Sequence, residues 1–396
     1  MEKATPFVVK LLETMDSDTV PAFTEKVNEQ IEGLDKETEV ILDMEDTIYI
    51  SSIALRMIQR IHKAYPKCVC VNVRPEVYET LEMVGFTSFL NIRRIPMQIP
   101  PVEGEPIARG SNGQIYSIGG DTIVKMFTEK TQMPEIEEEW AKARTAVSLG
   151  IPSVICYAVV NDGTRNGIMF EKLQTKTLDR LIYEDYENFD KYADMFAKLF
   201  REIHETRDVM KELSSVKDQQ IALVDRALYL SEKEREDLKN FLNDFPDSDT
   251  VVHGDFHPRN IGTTEGELIA MDMAEIGYGN PVFDFMSTYY DLVFSGKNFP
   301  EVTKFFFGLE IPDLRRLWDR MLQTYFGGLS KEEADFINEM MDDLVGFRTI
   351  LLPVLHPNNT KEKHAKWTEI GRNCLDGKLE ELSKKVKIFD TDYLHR

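Results

Sequence analysis

A ten-residue stretch, residues 251–260, constrains this chain more than any other feature. It reads VVHGDFHPRN: two apolar residues lead as a short strand into a loop with an acid, Asp255, and five residues later an amide, Asn260. A strand-like segment, residues 268–271, then delivers a second acid, Asp272. In phosphoryl transfer from a nucleotide, one carboxylate accepts the proton of the attacking hydroxyl, while an amide and another carboxylate hold magnesium on the phosphates. The stretch therefore favours this chemistry.

The pattern H-G-D-x-H-x-x-N, followed by a strand and an Asp, resembles the catalytic loop of the aminoglycoside phosphotransferase and choline kinase family, whose members share the protein-kinase fold. The resemblance implies that Asp255 is the catalytic base. It implies Mg²⁺ ligands at Asn260 and Asp272, whose oxygen donors suit that hard ion. His253 and His257 would brace the loop by hydrogen bonds. The alternative is that Asp255 caps the loop and both histidines are turn residues.

Three further residues near this motif have predicted roles. Asp284, in the segment GNPVFDF, resembles the last residue of the family's G-x-P-x-x-D, which supports the catalytic loop. His204 ends an amphipathic helical segment, residues 192–204, and we interpret it as structural. Arg259 stands where the family often has Gly, and a contact with a phosphate is a hypothesis. Zinc at the two loop histidines is disfavoured, because no Cys or third His lies nearby in the sequence.

A glycine-rich turn precedes a lysine-bearing strand. Residues 107–118 predict a strand, a glycine turn and a second strand, and residues 122–127 predict a third. A Gly-x-x-Gly turn alone is weak evidence, because it is often only a hairpin. In kinase-like folds, however, such a turn covers the nucleotide phosphates, and a Lys in the next strand pairs with them. The resemblance therefore implies nucleotide contacts at Gly110, Ser111, Gly113 and Lys125.

A Lys in an apolar strand needs a counter-charge, because burying it unpaired is costly. The helical segment 134–143 carries several glutamates. In the family, the Glu of this helix stands at a similar distance before the Gly-Ile-Pro turn as Glu139 does here. The resemblance therefore favours Glu139, with Glu135 and Glu138 as alternatives.

Two more strand-like segments, residues 154–159 and 166–173, complete a predicted five-stranded lobe. The second resembles the family's hinge, which implies that backbone groups around Glu171 and Leu173 meet the adenine. Side chains there decide little, so ATP is the expected nucleotide and GTP stays open.

The first ninety residues alternate strands with helices, which predicts an α/β domain with a mostly parallel sheet. Residues 40–55 and 81–86 resemble the STAS domain of anti-sigma-factor antagonists. In that family a Ser at the start of a helix can be phosphorylated, and Ser52 keeps this position. A helix N-terminus tolerates a phosphate, but Ser is also a common cap. We predict a regulatory or partner-binding role for this domain.

Residues 96–106 hold four prolines, which predicts a stiff linker outside any central sheet. The predicted fold class is multidomain, α/β and α+β: a STAS-like α/β domain followed by a bilobal protein-kinase-like domain. The predicted boundaries are 1–96 for the STAS-like domain, 97–106 for the linker, 107–173 for the nucleotide lobe, and 174–396 for a helical lobe with the catalytic loop and acceptor pocket.

Composition excludes some classes of function. The net charge of −22 argues against nucleic-acid partners, which require basic residues to neutralise phosphates. No apolar run is long enough for a transmembrane helix, so no membrane association is expected. Four cysteines without CxxC spacing favour free thiols, and we expect a cytoplasmic protein.

The sequence as a whole predicts a kinase that uses ATP and Mg²⁺ to phosphorylate a hydroxyl of a small molecule. An aminoglycoside, a choline-like amine, a sugar and an amino alcohol all remain candidate acceptors. The acidic residues within 332–343 could attract a cationic acceptor, but a solvated acidic helix face is the preferred interpretation. The alternative function is signalling, in which the kinase-like domain phosphorylates a protein partner or acts as a nucleotide-sensing switch.

Overall fold

The computed structural model describes residues 6–110, 112–173 and 176–394. The chain divides into two compact units. The first comprises residues 1–116, 124–131 and 158–169, and the second comprises residues 117–123, 132–157 and 170–396.

The N-terminal part of the first unit is an α/β domain with a four-stranded sheet in the order β1-β3-β5-β6, and all neighbouring strands are parallel. Two short strands, β2 and β4, pair separately. The predicted alternation and parallel sheet are confirmed. The elements are β1 (Phe7–Lys10), β2 (Thr14–Met15), α1 (Val20–Ile31), β3 (Val40–Asp43), β4 (Tyr49–Ile50), α2 (Ser52–Ala64), β5 (Val69–Val73), α3 (Pro75–Met83) and β6 (Asn91–Arg94).

The core of this domain follows from its sequence pattern. Val40 and Leu42 alternate on one face of β3, and Ala54 and Ile58 lie one helical turn apart on α2; all four are fully buried. The sheet and its helices therefore share one hydrophobic core.

A second, six-stranded sheet has the order β7-β11-β12-β10-β9-β8, and most of its residues belong to the first unit. The predicted strands are present, but a sixth, edge strand comes from the proline-rich linker. The elements are β7 (Met97–Gln98), β8 (Ala108–Arg109), β9 (Gly113–Gly119), β10 (Thr122–Phe127), α4 (Met133–Ser148), β11 (Cys156–Asn161) and β12 (Asn166–Glu171).

The prediction of five strands with the linker outside the sheet is wrong, because part of the linker forms a sixth strand. Met97 and Gln98 lie between Pro96 and Pro100 and pair in parallel with Val160 and Asn161 of β11. Proline cannot donate a backbone hydrogen bond, but an edge strand is paired on one side only. Two residues that keep their N–H groups are enough to join the sheet there.

The rest of the second unit is mainly helical, as predicted, with two small antiparallel strand pairs, β13–β16 and β14–β15. No helix in the described ranges is long and apolar enough to cross a membrane. The elements are α5 (Leu178–Glu184), α6 (Phe189–Glu205), α7 (Val216–Arg226), α8 (Glu232–Asn243), β13 (Val251–Val252), β14 (Ile261–Thr264), β15 (Glu267–Ala270), β16 (Gly277–Tyr278), α9 (Val282–Tyr289), α10 (Ser295–Asn298), α11 (Pro300–Phe307), α12 (Ile311–Tyr325), α13 (Lys331–Leu355), α14 (Lys361–Leu375) and α15 (Leu379–Phe389).

Helix α6 packs against the loop of residues 253–260. Its apolar face buries Phe196 and Phe200, whose rings lie 4.5 Å and 4.8 Å from the ring of Phe256 in that loop. Aromatic pairs at these distances add to the free energy gained from burial. The loop is therefore packed against a helix on its apolar side, and its polar residues lie on a fixed backbone.

Candidate active site

Asp255 is the centre of the polar cluster in this loop. Its Oδ2 accepts a hydrogen bond from Asn260 Nδ2 at 3.0 Å and lies 3.4 Å from His257 Nε2. Its Oδ1 accepts one from Arg348 Nη2 at 3.1 Å. Both oxygens are thus held, and the five-residue spacing predicted from the sequence does bring the acid and the amide together. Because Nδ2 donates to Asp255, Oδ1 is the side-chain oxygen of Asn260 that could bind a metal.

Opposing electrostatic effects act on this loop. Burial alone raises the pKa of Asp255, but His257 and Arg348 together outweigh it and hold the pKa well below its usual range. Burial lowers the pKa of His257, and Asp255 reverses this, so that pKa is raised. Burial also lowers the pKa of His253. Asp255 is therefore a carboxylate at neutral pH, the form that accepts a hydrogen bond from a hydroxyl.

Asp284 supports the backbone of the loop. Its fully buried carboxylate accepts hydrogen bonds from the backbone N–H of His253 at 2.7 Å and of Gly254 at 2.6 Å. Its Oδ2 also lies 3.0 Å from His204 Nε2, and His204 Nδ1 lies 3.0 Å from the hydroxyl of Tyr325. These contacts agree with the structural roles predicted for Asp284 and His204.

Asp272 follows β15 in a left-handed backbone conformation, with φ of 57°. Residues other than Gly rarely adopt it, and such strain persists only where the surroundings impose it. Next to it, the backbone N–H of Met271 donates to the carbonyl of Asn260 at 2.8 Å, and His253 Nε2 donates to the carbonyl of Met271 at 3.1 Å. On the other side, Lys142 Nζ of α4 donates to the carbonyl of Ala274 at 3.0 Å.

His253 therefore connects the two acidic segments. Its Nδ1 accepts a hydrogen bond from the backbone N–H of Asp255 at 3.3 Å, while its Nε2 donates to Met271. This pattern requires the neutral tautomer with the proton on Nε2, in agreement with the lowered pKa. A backbone hydrogen bond joins Asn260 to Met271, the residue before Asp272. The amide oxygen of Asn260 and the carboxylate oxygens of Asp272 are ligand types that fit a magnesium ion.

One family model covers residues 103–321, more than half of the chain, and it describes the phosphotransferase enzyme family. The chain belongs to this family. A second model, the STAS domain, matches residues 2–95. The chain thus has an N-terminal STAS domain followed by a protein-kinase-like fold, and the predicted family and fold class are confirmed. No curated protein sequence matches the chain.

Several solved structures are similar to this chain. The gentamicin complex of the aminoglycoside phosphotransferase APH(2″)-IIa is 17% identical over 78% of this chain and 99% of that chain, with a TM-score of 0.48. A choline/ethanolamine kinase family protein from Mesorhizobium loti is 14% identical over 72% of this chain and 92% of that chain, with a TM-score of 0.44. The family assignment rests on the sequence model rather than on these likenesses.

Three other charged residues around Asp255 were not predicted from the sequence: Arg348, Glu275 and Asp291. Arg348 on α13 lies 93 residues further along the chain, and its Nη1 is 3.8 Å from Glu275 Oε2. Asp291 lies in a π-helical turn, Tyr290–Phe294, a rare geometry that often marks functional sites. Burial raises the pKa of Asp291 to about 6. Arg348 lies on a separate helix, at a distance from the motif that no sequence pattern fixes.

Asp255, His257 and Asp291 place one potential metal-ligand atom each within 4.8 Å of one another. This grouping has the ligand types of a transition-metal site. The guanidinium of Arg348, however, already contacts Asp255 and repels a cation there. We interpret the group as an ion-pair network, in line with the low expectation of zinc.

The residues predicted to contact nucleotide phosphates belong to the first unit, except that Ser111 lies outside the described residues. Gly110 and Gly113 flank the turn between β8 and β9, and Lys125 is half-buried in β10. A side chain at Gly113 would approach the carbonyl oxygen of Met126 to 2.6 Å, so packing alone requires glycine there. Their nucleotide contacts stay predictions.

Among the three glutamates considered on α4, only Glu139 is buried. Glu135 accepts the backbone N–H of Gln132 in a capping box, and Glu138 pairs with Lys142 at 2.9 Å. These contacts explain Glu135 and Glu138 structurally and leave Glu139 as the preferred candidate.

At the predicted hinge, the Glu171 side chain is hydrogen-bonded to the backbone of the segment that precedes β11. Its Oε1 accepts the backbone N–H of Ile155 at 2.7 Å. Leu173 packs against Gly262. A Cβ added at Gly262 would lie 2.4 Å from Leu173 Cδ1. Nearer the catalytic loop, the Arg259 guanidinium stacks on Phe306 at 4.2 Å, which gives this residue a packing role beside the phosphate contact considered above.

Ser52 is the first residue of α2 and is exposed. The helix cap is Ser51, which makes no capping hydrogen bond through its side chain. The interpretation of Ser52 as an N-cap is therefore wrong, and its phosphorylation stays a prediction.

Gly254 is expected to tolerate no side chain. Its φ is 84°, and an added Cβ would meet the carbonyl oxygen of Glu275 at 2.6 Å. Gly266, at the β14–β15 turn, has a similar φ of 88° but nothing within 4 Å. Gly266→Ala should therefore cost about 1 kcal/mol from backbone strain alone, and Gly254→Ala should cost more than about 2 kcal/mol. Chemical denaturation followed by tryptophan fluorescence measures both, and equal losses would contradict the steric argument.

Proposed function

We propose that the protein transfers the γ-phosphate of ATP to a hydroxyl of a small-molecule acceptor, in a magnesium-dependent reaction. One observation carries the proposal: an ionised Asp255, held at both oxygens, shares a braced loop with Asn260, whose carbonyl bonds to the backbone beside Asp272. An acid, an amide and a second acid are the groups this chemistry requires.

In the proposed reaction, Asp255 accepts a hydrogen bond from the acceptor hydroxyl and aligns its oxygen with the γ-phosphorus. The O–H bond breaks as the new P–O bond forms, Asp255 takes the proton, and the bond to the departing ADP oxygen breaks. Asn260 and Asp272 would hold magnesium, which neutralises charge on the phosphates. Lys125 and the Gly110–Gly113 turn stay predicted phosphate contacts.

Three of the six acidic residues of α13 have partners within the protein, which weakens the case for a cationic acceptor. Glu333 belongs to the capping box of this helix. Asp342 pairs with Lys297 at 2.6 Å and accepts the hydroxyl of Tyr289 at 2.6 Å, and Asp343 pairs with Lys378 at 2.5 Å. These three carboxylates interact with groups of the protein itself. We therefore propose a hydroxyl acceptor of unspecified charge.

A regulatory or partner-binding role for the STAS domain is supported by exposed apolar side chains. Strand β4 packs against α3, and around these elements Tyr49 is 54% and Met83 85% exposed, with Ile48 and Val84 about half exposed. Clustered exposed apolar residues often mark protein interaction sites. The same surface also supports the second candidate function, in which the kinase-like domain phosphorylates a protein partner.

The deciding experiment is phosphate transfer from labelled ATP or GTP, with and without Mg²⁺, to panels of amino sugars, amines, sugars and candidate proteins. Transfer to a small hydroxyl compound supports the proposal. Transfer only to a polypeptide favours the signalling function, and no transfer to any acceptor rejects both kinase proposals.

Asp272→Ala should weaken nucleotide binding in the presence of magnesium by about tenfold or more, because a metal ligand is lost. Binding without magnesium should change little. Calorimetric titration of ADP with and without Mg²⁺ measures the difference, with Glu267→Ala, an exposed acid on β15, as control. If Asp272→Ala left magnesium-dependent binding intact, Asp272 would not be a ligand.

A further inference from the structure

Arg348 reaches the proposed catalytic base from outside the part of the chain that defines the family. The family model ends at residue 321, whereas Arg348 lies on α13, Lys331–Leu355. Its Nη2 donates to Asp255 Oδ1 at 3.1 Å, and its side chain is only 12% exposed. The base is therefore in contact with a buried cation that the catalytic-loop motif does not specify.

The surroundings of Arg348 are those of a charge built into a site. Glu275 lies 3.8 Å from Nη1, and the ring of Tyr290 lies 5.9 Å from the guanidinium carbon. Its Nε is buried without a hydrogen-bond partner among the described residues. Burying a guanidinium is costly and is offset only by close acidic partners, and here the closest partner is Asp255.

The contact fixes the orientation of the Asp255 carboxylate. Asn260 and His257 approach Oδ2 from the catalytic loop itself, whereas Arg348 holds Oδ1 from a different helix. Rotation of the carboxylate about its Cβ–Cγ bond would break contacts on both sides. Without Arg348, Oδ1 loses its anchor, and the direction in which the base accepts a hydroxyl proton is no longer set.

We propose that Arg348 is a positioning residue that aims Asp255 at the acceptor hydroxyl; this inference rests on the proposed phosphotransfer function. It acts through Asp255 and not on the nucleotide. Its removal should therefore lower kcat and leave the nucleotide KM unchanged. Misplacement of a reacting group by about 1 Å costs up to about a hundredfold in rate, so Arg348→Met should lower kcat by about 10- to 100-fold.

The test compares wild type, Arg348→Met, Arg348→Lys and Arg372→Met in steady-state phosphate transfer. Lys keeps one charged donor and should recover part of the lost kcat. Arg372, which pairs with Glu234 at 2.6 Å on the surface of α14, is the control for losing an ion-paired arginine, and its variant should keep kcat. In an Asp255→Asn background, Arg348→Met should cause little further loss, because the two residues act as a unit.

The outcomes separate the two proposals. Wild type without transfer to any acceptor overturns the proposed function and this inference with it. An active wild type and a folded Arg348→Met variant with kcat within twofold of it overturn the inference alone, as does an equal loss in Arg348→Met and Arg372→Met. If Arg348→Met does not fold, the same kinetics are measured on Arg348→Gln, which keeps a donor for Oδ1 without the charge. A lower kcat with an unchanged nucleotide KM supports the inference, and a kcat within twofold of wild type overturns it.

Discussion

Asp255→Asn should reduce kcat for phosphate transfer by about 100- to 10,000-fold, the usual contribution of a positioned general base. The amide has nearly the same shape but cannot take the hydroxyl proton, and it no longer neutralises Arg348 or His257. Nucleotide affinity should stay within about threefold, since the substitution removes neither of the proposed magnesium ligands, Asn260 and Asp272. Steady-state transfer and calorimetric titration of ADP give the two quantities.

The control for this substitution is Asp249→Asn, because Asp249 pairs with Arg207 on the surface and lies outside the catalytic loop. It should leave kcat unchanged. If Asp255→Asn kept kcat within tenfold of wild type, Asp255 would not be the base. If it lost nucleotide affinity as strongly as kcat, the substitution would have disturbed the fold of the loop rather than the proton transfer.

Asp284→Ala should lower the free energy of unfolding of the second unit by about 3 to 5 kcal/mol, as expected when one partner of a buried charged network is removed. The variant leaves the backbone N–H groups of His253 and Gly254 and the imidazole of His204 without their common acceptor. Asp284→Asn, which keeps one acceptor oxygen, should lose less. Phosphate transfer should fall in both, because the loop loses its anchor.

Tryptophan fluorescence suits this measurement, because the three tryptophans, Trp140, Trp318 and Trp367, all belong to the second unit. Urea unfolding followed at their emission therefore reports that unit even if the first unit unfolds separately. A destabilisation below about 1 kcal/mol in Asp284→Ala would mean that water replaces the carboxylate and that Asp284 is not the anchor of the loop.

The sequence predicted the parts of the site that lie at fixed distances along the chain. Asp255 and Asn260 are five residues apart in one loop, and Asp272 follows the next hairpin, so a pattern records them. Asp284 was predicted in the same way, and the backbone N–H groups of His253 and Gly254 donate to its carboxylate. Helices such as α6 were predictable because burial of one face imposes an apolar repeat of about 3.6 residues.

The remaining features depend on packing between distant segments. Nothing beside Arg348 in the sequence distinguishes it from other arginines, because its partner lies 93 residues away. The edge strand β7 was missed because proline content argues against strands in general, while the position of a segment at a sheet edge is known only from the fold. The cap is Ser51 rather than Ser52, a difference of one residue that only the backbone geometry decides.

The edge strand has a practical consequence for dividing the chain. Ile95 still donates a hydrogen bond to Val73 of the first sheet, and after Pro96 the chain enters the second sheet at once. A shortened protein that started at residue 103, where the family match begins, would lack Met97 and Ile99, which pack against the buried core of that sheet. It would also leave the backbone of β11 open to pairing with other molecules. A cut ahead of residue 96 keeps that edge covered.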